Sequence, residues 1–243
     1  EVKTLSRDEY PVPVNVTNPV YLGVEIYNNQ LKDNGNFGVA IDNQYSHLMP
    51  TRDIFIHNNK ILNDRYQLGQ SGMRIANFRL KEKGDMIIHD NIIRDKFDRG
   101  IRLLNCDNVI VRDNDVEAYR VGIELEVQVV GTAENNLIEN NVVESETSNA
   151  MRVLADCHNN IIRKNKTKSP EDQYRIFITS SATGNKQYLN EIKDFADSSP
   201  PTGRATQGEI AYSSDMIASG CLGWVANETG SSVAWRPFGS VVQ

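Results

Sequence analysis

The sequence predicts an all-β fold: a right-handed single-stranded parallel β-helix followed by a small C-terminal β module. Three observations lead there. A short phrase closing on asparagine recurs along the chain, an alternating apolar strand follows each recurrence, and both patterns stop before a tail of different composition.

The phrase runs Val24-Glu-Ile-Tyr-Asn-Asn29, then Ile54 to Asn59, Met86 to Asn91, Val109 to Asn114, Asn136 to Asn141 and Asn160 to Asn165. Its closing asparagines are 30, 32, 23, 27 and 24 residues apart, a period suited to one β-helical coil with turns of variable length. Two residues beyond each asparagine stands Leu31, Ile61, Ile93, Val116 or Val143, with Thr167 as the polar exception. A second strand follows: Gly38 to Ile41, Gly72 to Ile75, Gly100 to Leu103, Gly122 to Leu125, Ala150 to Val153 and Arg175 to Ile178. Its side chains alternate with strand period, and no helical spacing of apolar residues competes. Equivalent strands stack about 4.8 Å apart, so one position in successive coils becomes a column. Asn29, Asn59, Asn91, Asn114, Asn141 and Asn165 are therefore expected to form an internal amide ladder. An antiparallel sandwich also has many short strands, but it gives no reason for asparagines in register.

The domain boundaries follow the pattern. Residues 1–23 read as an incomplete first coil, 24–196 as the β-helix, 197–207 as a Pro-, Gly- and Ser-containing linker, and 208–243 as the C-terminal module. An opening Glu1 rather than Met leads to the expectation of a chain processed or cut from a longer one.

Composition narrows the function. With 26 Lys+Arg against 32 Asp+Glu, the net charge of −6 lacks the basic surface that phosphate backbones require, so no nucleic-acid partner is expected. No apolar stretch approaches the roughly 18 residues of a bilayer span, so no membrane insertion is expected. Cys106, Cys157 and Cys221 are too scattered for a disulfide framework or a metal knuckle and read as free thiols. No cofactor fingerprint, P-loop or Ser-His-Asp spacing occurs. His57 and His89 share an outward column with Tyr27, Arg112, Glu139 and Arg163, but no third ligand accompanies them, so no metal is expected. Asp33-Asn-Gly-Asn36 fits tight-turn chemistry better than a calcium loop.

Two outward columns remain. Phe55, Ile87, Ile110, Leu137 and Ile161 occupy the middle of the first strand, where alternation points them away from the core. Such a stripe is expected to be an oligomer interface, most simply around a threefold axis, unless the chain's own loops cover it. The second-strand column reads Ala40, Arg74, Arg102, Glu124, Arg152, Phe177, with Glu126 two residues along and, one coil below, Asp95 and Asp98, the latter expected in the turn just before Gly100. Glu124, Glu126 and Asp98 are the candidate catalytic carboxylates, and Arg74, Arg102 and Arg152 the candidate substrate-binding cations, for cleaving a polysaccharide. The bland alternative is a salt-bridge ladder that keeps the face soluble.

The tail carries a resemblance. Gly208, Ile210 and Tyr212, then Gly223-Trp-Val225, then Trp235 with Pro237-Phe-Gly239, resemble the C-terminal cassette of bacteriophage tailspike and pre-neck tail appendage proteins. Glu209, Ala226, Val233-Ala234 and Arg236 depart from that pattern. Trp224 and Trp235 read either as the module's core or as platforms for sugar rings. The resemblance implies a homotrimer on the virion or extracellular, acting on host cell-surface glycan. A fibre that binds without cleaving, and a secreted bacterial polysaccharide lyase or epimerase, are the other readings.

Overall fold

The computed structural model describes residues 15–16, 22–43, 52–128, 131–170, 174–192, 200–201, 205, 207, 209–212, 221–230 and 233–240. Most of the expected first segment and much of the expected linker lie outside them. The described strands form a parallel coil. One sheet has seven strands in sequence order, Leu22–Tyr27, Arg52–His57, Met86–His89, Ile110–Arg112, Leu137–Glu139, Ile161–Arg163 and Lys186–Tyr188, every pair parallel. These are the recurring phrases, with one more coil than the repeat predicted. The apolar repeat does not mark the extra coil because its strand, Lys186-Gln-Tyr188, is polar, although Asn185 and Asn190 frame it as Asn160 and Asn165 frame the coil before.

The asparagine ladder is present and continues into that coil. Nδ2 of Asn29, Asn59, Asn91, Asn114, Asn141 and Asn165 each donates to the Oδ1 of the next member at 2.9–3.0 Å, ending on Asn190. The same Oδ1 atoms accept a backbone N–H from the coil below, as Asn114 Oδ1 does from Asn91 N at 3.0 Å. Every buried amide of this ladder is thereby paired, as burial of a polar group demands. A second ladder, absent from the expectations, joins Asn136, Asn160 and Asn185 at the other end of the phrase.

Backbone shape explains why the phrase ends in a pair. The residue before each ladder asparagine is Asn28, Asn58, Asp90, Asp113, Asn140, Lys164 or Leu189, and each has φ between 52° and 56°. Only short polar side chains visit this left-handed region cheaply. One residue makes the corner and the next ties it to its neighbours.

Past that corner the sequence reading expected an apolar contact. The structure builds a further strand there, so each of the first six coils has three sides: Gln30–Lys32, Asp115–Ala118, Val142–Ser145 and Lys166–Lys168 are examples. In two coils this strand fuses with the following one into Lys60–Ala76 and Ile92–Leu104. Inward side chains, among them Ile54, Ile56, Ile61, Met73, Ile75, Ile88, Ile93, Ile101, Val111 and Ile123, form one continuous core. Thr167 also points inward, and its hydroxyl donates to Glu191 O at 3.2 Å, so the exception is satisfied.

At the C-terminal end, Ile210–Tyr212 adds in parallel beside Glu191–Ile192, the last strand on the side that follows the corner, and Ile210 N donates to Asn190 O at 2.7 Å. The direction then reverses: Cys221–Ala226 and Trp235–Ser240 follow as antiparallel strands. Trp224 is buried within them. That burial makes it a packing residue and removes it as a sugar platform.

Candidate functional site

The second-strand column lies in the predicted register. Arg74 pairs with Arg102, Arg102 with Glu124, Glu124 with Arg152, and Arg152 with Phe177. Strand alternation turns these side chains away from the core, yet Glu124 is not exposed as expected. Its side chain has 0% exposure, because Arg99, Arg102 and Arg152 close over it. Arg152 Nε donates to Glu124 Oε2 at 2.7 Å, Arg99 Nε donates to Oε1, and Arg102 Nε lies 3.6 Å from Oε1.

Asp98 differs from expectation in the same way. It sits inside the strand Ile92–Leu104 rather than in a turn, since the fused strand carries the chain through that corner. Its side chain also has 0% exposure. Arg99 Nη1 donates to it at 2.5 Å, Gly69 N at 3.1 Å and the Tyr66 hydroxyl at 3.2 Å, and Arg120 Nε lies 3.1 Å from Oδ1.

Glu126 is the outermost of the three carboxylates and accepts from Arg102 Nε at 2.9 Å. Burial works to raise its pKa, but the hydrogen bond and charge of Arg102, the charge of Arg99 and a hydrogen bond with Glu124 outweigh it. They hold Glu126 below the usual carboxylate range. Arg74 stands apart from the cluster, with Nη1 donating to Asp42 Oδ2 at 3.3 Å.

The structure therefore brings Glu124, Glu126, Asp98, Arg102 and Arg152 together and adds Arg99, Arg120 and Tyr66, which the sequence reading missed. Arg99 was legible as the residue immediately before Gly100. Tyr66 was not, because the register slips between Asn63/Gln67 and Gln67/Ser71 where Lys60–Ala76 pairs with Ile92–Leu104. The longer strand has residues without counterparts there, and Tyr66 and Leu68 stand exposed on it.

The other outward columns are also in register. Phe55, Ile87, Ile110, Leu137 and Ile161 are consecutive partners, with Glu25 before them and Lys186 after. Leu137 is buried and the other four are half-buried. In the neighbouring column His57 stacks on Tyr27 at 5.4 Å and on His89 at 4.9 Å. His57 Nε2 lies 2.8 Å from Glu25 and His89 Nδ1 2.7 Å from Asp90, so both imidazoles already have carboxylate partners. Cys106, Cys157 and Cys221 are buried, and burial pushes the Cys106 and Cys157 thiols up to about 12.

Comparison with known proteins agrees with this architecture. The family described as right handed beta helix region matches residues 14–192. The chain belongs to this β-helix family. The matched span takes in all seven strands of the first sheet and the whole charged cluster, so the fold rests on the family as well as on the repeat. The family is consistent with proteins that bind or degrade polysaccharide. No curated protein and no solved structure matches the chain.

Proposed function

We propose that this β-helix chain binds host cell-surface polysaccharide as part of a bacteriophage tail spike or tail appendage, carried as a homotrimer on the virion. One observation carries the binding half of this reading: guanidinium groups held on adjacent coils by carboxylates sealed beneath them. Rigid strands and buried ion pairs fix these cations before any ligand arrives, which is how a recognition surface avoids ordering its own side chains on binding. The C-terminal cassette and the outward apolar column support the tail-appendage half.

The same geometry favours binding over cleavage. Glycoside hydrolysis uses a carboxylic acid that keeps its proton near neutral pH within reach of the glycosidic oxygen. Glu124 and Asp98 are enclosed, and Glu126 holds its charge to lower pH than an ordinary glutamate.

The test is co-sedimentation of the purified chain with capsular polysaccharides and teichoic acids, with a parallel assay for new reducing or phosphate ends. Binding without new ends is the expected result. Release of ends that Glu126→Gln abolishes would instead make this a depolymerase, and no binding to any polymer in the panel would sink the reading.

A further inference from the structure

The four arginines of the cluster are not equivalent. Arg99, Arg102 and Arg152 each donate hydrogen bonds to a carboxylate. Arg120 does not. Its Nε lies 3.1 Å from Asp98 Oδ1 without the alignment of a hydrogen bond, and among the described residues its guanidinium makes no other side-chain contact of that kind. It is also the most open of the four, with 32% side-chain exposure against 13% for Arg99 and Arg102 and 20% for Arg152. Within this group Arg99, Arg102, Arg120 and Arg152 face Asp98, Glu124 and Glu126, so one positive charge is left over in a protein whose net charge is −6.

Beside this guanidinium stands an aromatic pair. Tyr66 and Tyr119 have ring centroids 4.3 Å apart at a 47° tilt, and Tyr66 is 41% exposed. Tyr66 is fixed by its hydroxyl on Asp98, the same carboxylate that faces Arg120. Arg120 is fixed through its backbone, since Ser145 Oγ donates to Arg120 O at 2.7 Å. Among the described residues the two Nη groups of Arg120 make no side-chain hydrogen bond, and next to an exposed, tethered ring they match the two halves of an acidic sugar: an oxyanion for the Nη donors and a ring face for the aromatic.

We infer that the shoulder formed by Tyr66, Tyr119 and Arg120 is a subsite for an anionic sugar residue, the oxyanion on Arg120 and the sugar ring against Tyr66. This rests on the polysaccharide-binding reading and narrows it to acidic glycans. A uronate and a sugar phosphate present the same chemistry to the Nη donors.

The experiment is calorimetric titration of the full chain with three probes: an oligogalacturonate, its methyl ester and a teichoic acid. The expected result is salt-sensitive binding of at least one anionic probe, and which of them binds separates carboxylate from phosphate. Arg120→Gln is expected to weaken that binding about tenfold, and Tyr66→Ala by a similar factor, with unchanged circular dichroism. Arg163→Gln, which removes the same charge from the other sheet, is expected to leave it unchanged. Measurable binding of acid and ester with equal affinity, or an Arg120→Gln titration identical to the parent, overturns the subsite while leaving the broader reading intact if polysaccharide still binds. No binding of any probe overturns the subsite, and loss of co-sedimentation as well overturns both.

Discussion

At the scale of single residues, the corner before each ladder asparagine is the clearest link from sequence to shape. Asn28, Asn58, Asp90, Asp113 and Asn140 suit left-handed backbone, whereas Lys164 and Leu189 occupy the same conformation with φ 55° and 56° at a cost of about 1 kcal/mol or more each. Leu189 is moreover half exposed, so nothing in the core requires its side chain. Leu189→Asn is expected to stabilise the last coil by about 0.5–1 kcal/mol, read as a higher urea midpoint with an unchanged slope. A lower midpoint would mean that Leu189 packs in a way its exposure hides. The ladder residue of each pair was legible in the sequence because its period is visible. The corner residue's role was not, since a positive φ leaves no mark beyond a preference for Asn or Asp. Arg120 and Tyr66 were illegible for another reason: their meeting on Asp98 depends on a register slip that no periodic reading contains.

At the scale of strands, the glycines opening the third side of the coil set how closely that side approaches its neighbours. A Cβ on Gly100 would overlap Val116 Cγ1 and lie 2.5 Å from Gly122 O, and Gly38, Gly72 and Gly122 meet the same obstruction from Ile61, Ile93 and Val143. The sequence displayed these glycines in register, but a glycine's usual meaning is a turn, so their packing role emerged only with coordinates. Gly100→Ala is expected to destabilise by about 2–3 kcal/mol, because the obstruction includes backbone that cannot swing aside. Chemical denaturation measures this, and a cost below about 0.5 kcal/mol would show that the coils can separate locally. Strand identity was legible wherever apolar residues alternate, which is why six coils were read from the sequence and the polar seventh was not.

At the scale of the whole molecule, the outward apolar column argues for a partner of the same kind. Its members run consecutively from Phe55 to Ile161 and end on charges of opposite sign, Glu25 at one end and Lys186 at the other. The segment around Gly84 runs alongside, since a Cβ there would come within 3.9 Å of Ile110 Cδ1. Ile110→Asp sets a charge at the middle of the column and is expected to reduce a trimer to the 27.3 kDa chain in light scattering. An oligomer of unchanged mass would place the interface elsewhere.

The reversal at the C-terminal end has a consequence for length. A stack of near-identical rungs carries no instruction to stop, since the outer strand of each completed rung is a template for the next, from the same molecule or from another. By adding one parallel strand and then turning back on itself, the chain replaces that template with an edge of opposite polarity. On this side the shaft thus ends in a change of direction rather than in exhaustion of its repeats, and Cys221–Ala226 and Trp235–Ser240 stand where a further rung would otherwise add.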